Sequence, residues 1–132
     1  MCIRDRAYID PPYNQHPYGS NYFMLNLIAE YRRPETVSPV SGIPENWQRS
    51  AYNKRQEAYH AFRDLTERIK AKYILISFNS EGFISQPEMV SLLEKIGPTQ
   101  VLETRNNTFR GSRNLKNRPV HVKGYLYLVE KR

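Results

Sequence analysis

The chain of 132 residues has one cysteine, Cys2, so no disulfide can close within it and a reducing compartment such as the cytoplasm is the expected setting. No apolar run approaches the roughly 20 residues that span a bilayer, and no secretory leader is visible, so a membrane partner is not expected. His16, His60 and His121 lie far apart, without cysteines or carboxylates clustered beside them, which argues against a metal site. Acids are in the minority: 13 Asp and Glu face 20 Lys and Arg, a net charge of +7 that favours a polyanionic partner. With 39% hydrophobic and 25% charged residues, the composition is that of a globular chain and not a disordered one.

What is present is concentrated near the beginning, in "AYIDPPYNQHPYGSNY" at residues 7–22. A short apolar run meets Asp10, and Pro11 and Pro12 then end any strand, because neither has a backbone donor and both fix φ near −65°. In an open α/β sheet, ligands bind at the carboxyl ends of strands, so Asp10 and Tyr13 are expected at the rim of a site. A carboxylate next to a carbonyl released from ladder duty offers two acceptors, which matches the two hydrogens of an amino group. Tyr13 adds a flat face for a planar ring, as enzymes use to hold a base taken out of a helix. The alternative for the quartet alone is a proline turn closing a buried strand.

Farther along, Ser20 or Asn21 is a candidate cap for an amphipathic helix with Met24, Leu27, Ile28 and Tyr31 on one face. Residues 34–47 hold three prolines without a period and read as a long loop. A second helix is expected from about Gln48 to Lys72, burying Ala58, Phe62, Leu65 and Ile69. The apolar run from Tyr73 to Asn79 reads as a strand buried on both faces in a parallel sheet. Ser85 and Glu88 form a capping box for a third helix that stops at Gly97-Pro98, and two strands follow, separated by a basic loop. The order is that of an α/β fold ending in an antiparallel hairpin.

The words "DPPYN…YGSNY", "ILISFNSEGFIS" and "TFRGSRNLKNR" resemble the carboxyl-terminal half of adenine-specific DNA methyltransferases over most of residues 7–132. The resemblance implies part of a Rossmann-like methyltransferase fold, with S-adenosylmethionine as methyl donor, double-stranded DNA as substrate and a flipped adenine as acceptor. It leaves room for a cognate restriction endonuclease as partner. Asp10 and the Pro11 carbonyl, within the quartet Asp10, Pro11, Pro12 and Tyr13, would accept hydrogen bonds from the adenine amino group while Tyr13 stacks on the ring. Asp10 and Tyr13 would also lie against the donor's methyl group. Tyr18, Asn21, Tyr22, Phe78, Asn79 and Phe109 are candidates for the base pocket, although Phe78 could equally be core. Arg105, Arg110, Arg113, Lys116 and Arg118 lie in a stretch without a single acid, a candidate phosphate-contacting loop.

Two features of that family pattern are missing: a glycine-rich loop to cradle the donor appears nowhere among six glycines, and no target-recognition insert is present. The opening "MCIRDR" resembles a translated sequencing adapter. Residues 1–6 are therefore expected to be extraneous, and 7–132 to be the carboxyl-terminal part of a longer catalytic domain. A same-fold methyltransferase acting on RNA or on a protein glutamine amide is the second reading, and a non-catalytic DNA-binding remnant the third.

Overall fold

The computed structural model of the protein describes residues 5–45, 49–107 and 121–132. Its frame is a four-stranded mixed sheet with helices, an α/β arrangement as the sequence order implies. Strand β1 (Arg6–Ile9) ends where Asp10 and the two prolines follow. It pairs in parallel with β2 (Tyr73–Asn79), Arg6 opposite Tyr73 and Ile9 opposite Ile76. A parallel pair needs a long crossover, and residues 10–72 supply it. On its other side β2 runs antiparallel to β4 (His121–Glu130), which pairs with β3 (Thr99–Asn107), so the order is β1-β2-β4-β3. The ladder also takes in Asp5, whose carbonyl accepts from the Tyr73 amide at 2.8 Å; backbone pairing of this kind is indifferent to side-chain identity.

The crossover begins with one turn of helix, α1 (Tyr18–Asn21), and continues into α2 (Phe23–Glu30). The cap of α2 is Tyr22 and not Ser20 or Asn21; Ser20 instead folds its hydroxyl and amide back onto the Pro17 carbonyl, at 3.0 and 3.1 Å. The apolar face read from the three-and-four spacing exists but is not buried: Met24, Ile28 and Tyr31 are all exposed, Ile28 at 70%. Periodicity determines which residues share a face, while only neighbouring elements determine whether that face is covered.

The second expected helix is shorter than its pattern. A 3₁₀ turn at Ala51–Asn53 comes first, and extended backbone at Lys54 separates it from α3 (Arg55–Arg68). At its other end the Lys131 ammonium donates to the carbonyls of Thr66, at 3.0 Å, Ile69, at 2.8 Å, and Glu67. A cation on the last carbonyls satisfies groups that the helix leaves open and complements its dipole, so the chain turns at Ile69 before Lys72. Ala58, Phe62 and Thr66 form the buried line, with Leu65 and Ile69 half-buried at its margin.

β2 is not buried on both faces. Ile74, Ile76 and Phe78 are buried while Tyr73, Leu75, Ser77 and Asn79 are half-exposed, an alternation that goes with its single parallel and single antiparallel neighbour. The buried face meets Phe62 of α3, Tyr127 and Val129 of β4, and Met89, Leu92 and Leu93 of the third expected helix, α4 (Gln86–Glu94). Its capping box is formed as the sequence implies: the Ser85 hydroxyl and amide donate to Glu88 Oε2 at 2.6 and 2.8 Å. After α4, buried Gly97 passes against the end of β4, where any Cβ would overlap the Glu130 carbonyl oxygen.

Candidate functional site

The parallel pair β1 and β2 brings two strand ends to the same edge, so the Asp10–His16 segment lies beside Asn79 and the turn after it. Three hydrogen bonds from three different elements tie this segment down. The Tyr18 hydroxyl donates to the Asp10 carbonyl at 3.2 Å. The Phe83 amide donates to the Tyr13 carbonyl at 2.8 Å. Asn53 Nδ2 donates to the Asn14 carbonyl at 2.9 Å. A proline-rich loop has few donors to hold itself, so outside groups fix its shape.

Within that frame the Asp10 carboxylate is exposed and has no partner among the described residues, whereas Pro11 beside it is buried. The Pro11 carbonyl likewise has no hydrogen-bond partner among them. Tyr13 is half-buried, its ring meeting Phe78 edge-on with centroids 5.8 Å apart and planes at 65°. Phe78 is a core residue, also packed on Phe62 at 6.3 Å, and Gly82 lies so close that a Cβ there would overlap the Phe78 ring. Of the two readings of Phe78, the structure places it in the core, where its ring supports that of Tyr13. Its position in a strand that alternates inward explains this.

Tyr18 and Tyr22 meet edge to face at 5.8 Å, both exposed, with Asn21 exposed between them. Partial burial, and then the nearby Asp10 carboxylate, push the Tyr18 phenol above its ordinary pKa, so its proton stays in place to hold the Asp10 carbonyl. Asn79 closes a turn: its Oδ1 accepts from the Glu81 amide at 2.9 Å and its carbonyl from the Gly82 amide at 3.1 Å. Its side chain is thereby engaged in the loop. Arg105 is exposed on β3 opposite Lys123, whose ammonium meets Glu103 at 2.8 Å. Phe109, Arg110, Arg113, Lys116 and Arg118 lie outside the described residues.

Sequence reasoning missed Asn53. Only 6% exposed, it also accepts from the Ser50 amide and hydroxyl, at 3.2 and 3.0 Å, so one side chain caps the 3₁₀ turn and straps the Asp10 loop. The signal was legible as a Ser-x-x-Asn capping pattern at residues 50–53. It also missed Phe83, which holds Tyr13 through its amide while its ring lies under the Arg55 guanidinium at 5.5 Å.

A family model described as D12 class N6 adenine-specific DNA methyltransferase matches residues 3–92, more than half of the chain. Type II methyltransferase M.CviAII of Paramecium bursaria Chlorella virus 1 is 34% identical over 95% of this chain and 37% of its own length. Type II methyltransferase M.NlaIII of Neisseria lactamica is 31% identical over 96% of this chain and 38% of its own, and M.FokI of Planomicrobium okeanokoites 31% over 96% and 20%. The chain thus spans well under half the length of these curated relatives. No solved structure matches it.

Proposed function

The chain belongs to the D12 class N6 adenine-specific DNA methyltransferase family, and from that membership we propose that it forms the acceptor side of a methyl transfer from S-adenosylmethionine to the exocyclic amino group of an adenine turned out of duplex DNA. The observation that carries this is the Asp10 carboxylate, exposed and unengaged among the described residues, at the carboxyl end of β1 beside half-buried Tyr13. An aromatic amine is a poor nucleophile because its lone pair is delocalised into the ring. Asp10 and the Pro11 carbonyl accept its two hydrogens, which lets the nitrogen pyramidalise and recover that pair, and the carboxylate offsets the positive charge that grows as the bond forms. Tyr13, seated on Phe78 and held through its carbonyl by Phe83, gives the base a fixed plane, so that positioning supplies a further part of the rate.

The donor, when bound, supplies an electrophilic methyl group on a sulfonium. The described residues fit that end of it, where an unengaged carboxylate suits a cation. They do not fit its amino-acid and ribose portions. Among the described glycines, Gly82, Gly97 and Gly124 pack against protein atoms, Gly19 lies in α1 and Gly42 lies in an open loop, so no glycine-rich cradle is formed among them. Arg105, Arg110, Arg113, Lys116 and Arg118 are the phosphate contacts in this reading, and the type II naming of the relatives supports a restriction endonuclease as partner. A DNA substrate fits a cytoplasmic setting; no helix among the described residues is long and apolar enough to cross a membrane.

The test is methyl transfer by the protein that carries this chain, with labelled donor and adenine-containing duplex. Asp10→Ala should lower turnover by about a hundredfold or more with DNA affinity largely unchanged, because the carboxylate acts on charge made in the transition state. Near-normal turnover in that variant would refute the role given to Asp10.

A further inference from the structure

Next to the Asp10 loop the crossover forms an open cavity of about 840 Å³. Pro12 of that loop and Tyr18 of α1, whose hydroxyl holds the Asp10 carbonyl, both stand in the cavity wall, so the cavity adjoins the loop that carries the candidate catalytic carboxylate. Arg32, Arg33 and Arg49 line it together with the ring of Tyr52. Arg32 and Arg33 follow directly on α2, whose end at Tyr31 adopts a left-handed φ of 51° that turns the chain off the helix axis. Guanidinium groups interleaved with aromatic rings are the lining that single nucleic-acid strands take, with phosphates on the cations and bases on the rings. Glu30 and Glu35 on the same wall keep it from being uniformly cationic. Carboxylates there can accept from base amino groups while the arginines hold phosphate, a combination that a strand offers and an isolated phosphate does not. The volume admits a few nucleotides and excludes a duplex.

We propose that this cavity binds the nucleotides flanking the extruded adenine on its own strand, with Arg32 and Arg33 on the phosphates adjoining that adenine. The proposal rests on the reading above that the Asp10 loop receives the base. It adds Arg32 and Arg33 to the phosphate contacts proposed above. By gripping the backbone next to the adenine, the cavity keeps the base turned out while the amino group is aligned with Asp10.

The experiment titrates the chain against a fluorescent duplex in which the target adenine faces an abasic position, at several salt concentrations. Arg32→Ala/Arg33→Ala should weaken binding tenfold or more at low salt and reduce the slope of log affinity on log salt by about 1.8, roughly 0.9 for each lost contact to duplex phosphate. Arg63→Ala/Arg68→Ala, an equal charge change on α3 outside the cavity, should leave the slope unchanged. Replacing the two phosphates beside the adenine with neutral methylphosphonates should abolish the difference between the parent and the Arg32/Arg33 variant; neutralising two distant phosphates should not. Equal slopes for parent and variant, an equal loss in the control pair, indifference to which phosphates are neutral, or no binding by the parent each overturns the proposal. If guanine or thymine at the target position binds as well as adenine while the arginine effects persist, the adenine reading fails and the strand site stands.

Discussion

Asn53 is one of the three residues that hold the Asp10 loop, and its removal has a calculable cost. It is 6% exposed and takes part in three hydrogen bonds, one donated to the Asn14 carbonyl and two accepted from Ser50. At about 1 kcal/mol net for each, with some recovered by water at the partly exposed Asn14, Asn53→Ala should destabilise the chain by about 2–3 kcal/mol. With a urea dependence of about 1–3 kcal/mol per molar, the unfolding midpoint followed by circular dichroism should fall by roughly 1–2 M. A local readout separates the two duties of the side chain. The Phe83 amide, bonded to the Tyr13 carbonyl at 2.8 Å, should exchange its hydrogen faster in Asn53→Ala by about tenfold for each 1.4 kcal/mol of loop stability lost. Ser50→Ala removes only the hydroxyl contact, so it should cost under about 1 kcal/mol and leave Phe83 exchange near that of the parent. A midpoint shift below about 0.3 M in Asn53→Ala, or equal Phe83 exchange in all three proteins, would refute the claim that this side chain straps the loop.

Two further outcomes test the frame that carries the site. Gly97→Ala places a methyl group over the Glu130 carbonyl oxygen and within 2.8 Å of its carbon, where β4 is pinned by the Glu130 amide on Pro98 and the Arg132 amide on Ile96, so thermal unfolding should register a loss of about 2 kcal/mol or more. Gly124→Ala meets the Asn106 and Thr104 side chains at 2.8 and 3.0 Å, which can rotate away, and the Thr104 carbonyl oxygen only at an ordinary 3.9 Å, so it should cost under about 1 kcal/mol; equal losses in the two variants would contradict this. The Ser85 hydroxyl, and then its amide, hold the Glu88 carboxyl below the usual glutamate range. A depressed carboxyl stabilises the fold above its unfolded pKa of about 4.3 and loses that contribution as pH falls through the lower folded value. Stability should therefore decline on the acid side less steeply in Glu88→Gln than in the parent, and a Glu88 titration midpoint at or above 4.3 by NMR would contradict the box.

Local chemistry was legible in the sequence because it depends on neighbours along the chain. β1 ends at Ile9, before Asp10, because the two prolines that follow cannot extend a ladder; Ser85 and Glu88 form their box because they stand three positions apart; α4 ends at Glu94, a few residues ahead of the expected stop at Gly97-Pro98. The DPPY quartet and the words around it pointed to the family, to which the chain belongs. Tertiary structure alone decided what required groups distant in sequence. Lys131 ends α3 across more than 60 residues of chain, Asn53 reaches Asn14 across 39, and Phe83 reaches Tyr13 from the turn after the neighbouring strand. The exposed face of α2 and the alternating burial of β2 belong to the same class, because periodicity assigns residues to a face and only the packing of other elements removes that face from water. Phe78 is the sharpest case: the strand pattern allowed it either face, and the approach of Gly82 and Phe62 on one side decided that it would lie in the core and support Tyr13.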